Sequence, residues 1–259
     1  EGSVSYLYFA DRINQLPLGV VGVAVGVALL PLLTRQLADG DEAAASDSQN
    51  RAIEFALILT LPAAAALVTI AGPIVSVLFE RGAFDAAAAA NTAAALAAFA
   101  VGLPAYVLIK ALTPGFFARQ DTATPVKVAV FAMVLNVVLA VTLMQVMAHV
   151  GIALATACSA WINALALCFI LHRRNQLRID PRLRRNAPRA LAAAIVMAVS
   201  LVFGESALGP YLGGSSLEKI SALCGLVALG LGVYAFAAHL FRAVRVSELR
   251  SMLRRPPSS

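Results

Sequence analysis

Long apolar runs broken by short polar ones recur from one end of the chain to the other. A helix needs roughly 20 apolar residues to cross a bilayer. Seven segments meet that need, near residues 3–33, 52–79, 88–112, 123–147, 150–171, 189–208 and 218–241. The pattern therefore predicts an all-α integral membrane protein with seven transmembrane helices. The first run departs from the others. Between Ser3 and Leu33 its only formal charges are Asp11 and Arg12. Ser5, Tyr8, Arg12 and Gln15 follow one another at helical spacing and share one face. Asp11 falls at the edge of that face. At about 1.5 Å per residue, Arg12 lies some 14 Å below Ser3, near mid-membrane. Pro17 and the run Gly19, Gly22, Gly26 predict a bend or a close helix contact further along.

Composition explains why the runs are so long. The chain is 60% hydrophobic and 13% charged, with mean hydropathy +0.83. A soluble core of 259 residues cannot hide that much apolar surface. The net charge of +6 does not point to nucleic acid, because the basic residues gather between apolar runs. Of the 20 Lys and Arg residues, 16 fall on one side of a seven-span arrangement, in 34–51, 113–127, 172–189 and the tail after Phe241. The opposite side holds Arg81 and Lys219, and Arg12 and Lys110 lie within spans. That bias predicts a cytoplasmic C-terminus, with the first helix entering from the outside. In a bacterial inner (cytoplasmic) membrane that outside is the periplasm. The pattern divides the chain into a five-helix lobe at 1–171, a basic connector at 172–188, two further helices at 189–241 and a basic tail at 242–259. The connector reads as an anchor against anionic lipid. Cys158, Cys168 and Cys224 lie within apolar runs and read as small buried hydrophobes.

An arginine at the centre of a spanning helix costs about 2.5–3.5 kcal/mol on insertion scales. A partner charge, a watery cavity or an anionic cargo offsets such a cost. Asp11 is a poor partner, since helical neighbours point about 100° apart. The flat fork of donors on Arg12 suits a pair of phosphate oxygens. A polar stripe at that depth fits a wet cavity better than lipid. Lys110, near the inner end of the third run, reads either as a snorkelling lysine or as a gate or pathway residue facing the same cavity. Asn91 and Asn136 read as interhelical hydrogen-bonding residues. No paired carboxylates, metal-ligand spacing, phosphate loop or serine motif is present, so no residue pattern argues for an enzyme, a metal or a cofactor, though an intramembrane enzyme is not excluded by this alone.

Three segments resemble the MurJ/MviN lipid II flippases. Tyr8-Phe9-Ala10-Asp11-Arg12, with Pro17–Ala24 and Leu30-Pro31, is similar to that family's eighth helix. The stretch from Lys110 to Lys127, containing Thr113-Pro114-Gly115-Phe116-Phe117-Ala118-Arg119-Gln120-Asp121, resembles its hallmark between the tenth and eleventh helices. Leu78–Phe84 resembles its outer loop. The resemblance implies helices 8–14 of a fourteen-helix, two-lobe flippase in the multidrug/oligosaccharidyl-lipid/polysaccharide exporter superfamily. It implies a seven-helix N-terminal half as partner, which agrees with a chain starting at Glu1 directly on a spanning pattern. Arg12 matches the family's essential cavity arginine, and Gln15 stands where some members carry glutamate. The last two helices match an extra pair thought to line a groove for the polyprenyl tail.

The expected activity is therefore movement of lipid II, an undecaprenyl-diphosphate lipid, from the inner to the outer leaflet. Arg12, Asp11, Ser5, Tyr8 and Gln15 are the candidate cargo site and Lys110 the candidate gate. The resemblance implies coupling to an ion gradient or the membrane potential. Two alternatives remain: a related exporter for another polyprenyl-diphosphate-linked glycan, and a non-transporting membrane scaffold that binds partners through the basic connector.

Overall fold

The charged and polar residues between the runs act first as helix stops and starts. The computed structural model describes residues 2–82 and 84–241. These residues form seven helices: α1 Ser3–Ala38, α2 Glu42–Thr69, α3 Ala71–Phe79, α4 Ala86–Phe117, α5 Ala123–Arg173, α6 Pro181–Leu212 and α7 Ser216–Leu240. Side-chain caps open most of them. Asp41 accepts from the Ala44 amide at 2.8 Å, Asp85 from Ala88 at 2.8 Å, and Asp180 from Arg182 at 3.1 Å. Ser215 and Glu218 form a reciprocal capping box at α7. Gly40, Gln120 and Asn175 take positive φ just beyond α1, α4 and α5, closing those helices with left-handed turns.

The helices are longer than the apolar runs. The expected inner loop at 34–51 is helix but for residues 39–41, and the hallmark stretch is α4 up to Phe117 and α5 from Ala123 onward. The expected connector 172–188 is likewise helical at both ends. Only residues 174–180 separate α5 from α6. A helix does not stop where the membrane does, because its backbone bonds hold in water until a cap or a positive φ ends them. The basic tail at 242–259 lies outside the described residues.

Two apolar runs behave differently from a simple crossing. The run at 52–79 bends at Ile70 (φ −111°, ψ 30°), separating α2 from α3, where Pro73 removes the amide that would bond Thr69. In the opposite sense, runs 123–147 and 150–171 are joined as α5. Its 51 residues would span about 76 Å if straight, more than twice a bilayer core. Ala148 (φ 47°, ψ −130°) breaks it. The Asn136 amide then reaches Thr156 Oγ at 3.2 Å and Ser159 Oγ at 3.0 Å, so the two limbs lie antiparallel. Gly151 makes this tight return, since a Cβ there would meet the Leu143 carbonyl oxygen at 2.4 Å. Among the described residues six helices are long and apolar enough to cross a membrane, and the folded-back α5 supplies two limbs of that length.

α4 is the central post. Its apolar stretch is mostly covered by protein, against α1, α2, α3 and the second limb of α5. Alanines and glycines let the backbones approach: Ala95, Ala100, Ala105 and Ala111 are fully buried, and Gly102 faces the Ala157 backbone. The first limb of α5 is covered least, showing Val130, Phe131, Val134, Val137 and Val141 outward. α6 and α7 pack on one another and along α2 and α3. The cysteines depart from expectation: Cys158 and Cys224 are exposed and Cys168 is half-buried, so in a bilayer they border lipid rather than a protein core.

Candidate functional site

The outer half of α1 is held in place by aromatic contacts. Phe9 packs on Phe79 and Phe84 with ring centroids 4.8 and 5.5 Å away, tying α1 to the end of α3 and the outer loop. Tyr6 meets His149 at 5.5 Å, and the His149 Nε2–H donates to the Asn91 carbonyl at 3.0 Å. Ala10, Ile13 and Asn14 turn inward and are buried. The polar stripe consequently faces away from the lobe.

On that open face the predicted residues form a chain of contacts. The Arg12 guanidinium lies 5.0 Å from the Tyr8 ring centroid, a cation–π distance, and its Nη1 donates to Gln15 Oε1 at 3.5 Å. Gln15 Nε2 in turn donates to Asp11 Oδ2. Asp11 is thus engaged by Gln15, not by Arg12. Among the described residues, no carboxylate comes within 4.0 Å of Arg12. Ser5 is exposed one turn above Tyr8. The stripe presents one cation, one anion and three neutral polar groups to whatever covers this face.

Lys110 belongs to α4 and comes to α1 further inward. Its side chain lies across Gly22: a Cβ there would fall 2.7 Å from Lys110 Cδ and 3.3 Å from Nζ. The weak Gly22-x-x-x-Gly26 signal thus marks where α4 approaches α1. Pro114 leaves the Lys110 carbonyl without a helical donor, and that oxygen points toward Gly26.

The hallmark stretch has a structural job that the sequence alone did not disclose. Gln49 of α2 is buried and donates to the Ala111 and Leu112 carbonyls at 3.3 and 3.2 Å, beside Pro114. Gly115 makes room for it, since a Cβ would meet Gln49 Nε2 at 2.4 Å. Arg119 donates to the Gly115 carbonyl at 2.8 Å and pairs with Glu42, and Arg174 pairs with Asp121 at 2.6 Å. Hydrogen bonds from Thr124, then Arg174, lower the Asp121 carboxyl to about 2. The basic connector is pinned as well: Ser46 Oγ accepts from the Arg178 amide at 3.0 Å and Asn50 donates to the Arg178 carbonyl at 2.7 Å.

A second polar place was not foreseen. A cavity of about 390 Å³ between α4 and the two limbs of α5 is lined by Tyr106, Asn136, Thr156, Ser159 and Asn163. Its lining carries no formal charge. Tyr106 Oη and Asn163 Oδ1 are buried there without a protein partner. Their wide spacing along the chain hid them. Among the described residues no cluster of His, Cys, Asp and Glu could hold a metal ion.

The family model for "Lipid II flippase MurJ" matches residues 1–222. A probable lipid II flippase MurJ of Rhizobium tropici is 45% identical over 98% of this chain and 48% of its own length. The corresponding protein of Rhizobium meliloti (strain 1021) is 44% identical over the whole chain and 49% of its own length. A solved structure of a lipid II flippase MurJ in an inward closed conformation superimposes with TM-score 0.76 at 22% identity, over 98% of this chain and 49% of that one. The chain therefore spans about half the length of the curated relatives it matches. Order of elements, the α1 stripe and these likenesses agree: the chain belongs to the lipid II flippase MurJ family.

Proposed function

We propose that the protein containing this chain moves lipid II from the inner to the outer leaflet by alternating access. This chain forms one lobe, helices 8–14 of a fourteen-helix arrangement, and a seven-helix N-terminal half forms the other. The observation that carries the reading is the Arg12 guanidinium, exposed on the open face of α1 with no carboxylate partner among the described residues. A guanidinium at that depth does not face acyl chains without large cost. A hydrated chamber between two lobes accommodates it, and a lipid diphosphate neutralises it. A diphosphate and a sugar-peptide head cannot enter hydrocarbon unaided, so the chamber holds the head while the polyprenyl tail stays in lipid.

In this reading Arg12 binds the diphosphate oxygens, and the Tyr8 ring supports the cation from one turn above. Gln15 and Asp11 hold its orientation, and Ser5 extends the polar wall outward. On the same reading residues 39–41 and 174–180 face the cytoplasmic side of a bacterial inner membrane with the C-terminus inside, an orientation that the basic-residue bias supports. An ion gradient or the membrane potential drives the cycle. No chemical step is assigned, and the protein acts as a transporter rather than an enzyme.

The test is genetic. Full-length protein carrying Arg12→Ala, in a cell depleted of its own flippase, is expected to insert normally yet fail to sustain peptidoglycan synthesis. Growth at the wild-type rate would remove Arg12 from the mechanism. For cargo, lipid II is expected to compete with Arg12-dependent binding better than a sugar-lipid lacking the pentapeptide.

A further inference from the structure

The polar stripe of α1 does not end at Gln15. Asp11, Gln15, Gly22 and Gly26 fall within about 60° of one another around the helix. The next two residues of α1 on this flank are Gly22 and Gly26, and α4 lays the Lys110 side chain across the first of them. The ammonium reaches this flank because Gly22 has no Cβ. Lys110 is half-buried, and among the described residues no carboxylate lies within 4.0 Å of it. Snorkelling alone does not explain the placement. A lysine seeking the interface extends away from neighbouring backbone, whereas this one lies against Gly22 of a neighbouring helix. Arg12 beside this flank and Lys110 across it thus place two cations at two depths along α1, from two different helices.

Arg12 and Gly22 are ten residues apart, about 15 Å along the axis. A diphosphate is only a few ångströms across, so it cannot touch both cations at once. We propose that Lys110 is a second, inner anion station for the diphosphate cargo, occupied before Arg12 on the outward path. The groove over Gly22 and Gly26 sets its depth. This rests on the reading of Arg12 as an anion ligand. The ammonium binds as a mobile point charge, loosely enough to release, and the guanidinium fork holds the same group bidentately further out.

The experiment uses full-length protein in nanodiscs and a polyprenyl diphosphate bearing a photoreactive group beside the phosphates. Cross-links are expected on two segments of α1, one around Arg12 and one around Gly22–Gly26. Lys110→Met is expected to abolish the inner cross-links, spare the outer ones and slow lipid II flipping about tenfold or more. Lys110→Arg is expected to retain both. Gly22→Ala keeps the charge but displaces it, and is expected to weaken the inner cross-links alone, which guards against a Lys110 variant that misfolds. A neutral polyprenol probe is expected to be indifferent to all three. Absence of inner cross-links in the unmodified protein, or their persistence in Lys110→Met, overturns the inner station. Loss of inner cross-links only, with Arg12→Ala erasing the outer ones, supports it. Cross-links to neither segment would overturn the Arg12 reading as well.

Discussion

Gly115 shows how one missing methyl group can hold a lobe together. Its place is taken by the Gln49 amide, which spans two α4 carbonyls next to Pro114. Gly115→Ala pushes that amide out of a site where it is almost fully buried, at a cost of about 1–3 kcal/mol. Gln49→Ala should largely remove the penalty of the alanine, so thermal unfolding of the two single variants and the double is expected to be non-additive. Two carboxylates outside the spans make stability depend on acid. Glu80 is held below its ordinary range by the Ser76 hydroxyl first and by Lys219 second. Asp121 falls from 3.8 to about 2 through Thr124 and Arg174. A lowered folded value means that the stabilisation is complete above the unfolded value and disappears as pH falls through the folded one. The melting temperature of the full-length protein is therefore expected to drop between pH of about 4.5 and 2. Asp121→Asn should flatten the lower part of that drop, and an unchanged profile would remove Asp121 from it.

At the scale of elements, apolar length located the long apolar helices of the described residues but not where each helix ends. α1 runs on to Ala38 and α4 to Phe117, because capping and positive φ decide the ends while hydropathy decides only the buried middle. The α1 stripe was legible because three- and four-residue spacing puts side chains on one face by geometry alone. The Lys110–Gly22 approach was not, since it depends on the register between α1 and α4, which no local pattern encodes. The α5 cavity was hidden for the same reason. Pro62 left a clue that could have been read. It takes the donor from the Ile58 carbonyl, and the Tyr234 hydroxyl of α7 replaces that donor at 2.7 Å. Tyr234→Phe should therefore cost about 1 kcal/mol or somewhat more. With Pro62→Ala, whose new amide can reach Ile58 itself, the same change should cost much less. Equal losses in both backgrounds, by thermal unfolding, would show that the hydroxyl is not serving that carbonyl.

For the whole molecule, what matters is which parts would move together during the proposed rocking cycle. α6 and α7 are fastened to the α2–α3 rod at every depth. At the inner end Glu54 is buried, accepting from Asn186 at 2.7 Å and pairing with Arg182 at 3.2 Å. Slightly outward comes the Tyr234–Ile58 bond. Near the middle Ile70 joins Met197, Leu201 and Leu226 in one apolar cluster, with Gly204 and Gly230 letting α6 and α7 close. At the outer end Lys219 meets Glu80 and Ser76, each at 3.5 Å. Contacts at one depth would permit a pivot; contacts at all four forbid one without breaking a buried carboxylate's partners. The pair should then ride with this lobe as one body, so any groove between it and the lobe keeps its width while the chamber opens and shuts. Spin labels replacing Asp47 and Leu240 at the inner side, and Leu78 and Leu217 at the outer side, test this in full-length protein lacking Cys158, Cys168 and Cys224. Each pair is expected to give one narrow distance distribution, unchanged by undecaprenyl diphosphate. A second population shifted by about a helical turn, ~5 Å, would mean that α6 and α7 move independently. Glu54→Ala should create that second population at the inner pair before the outer one, because it removes the carboxylate that joins α2 to α6 while leaving Lys219 and Glu80 joined.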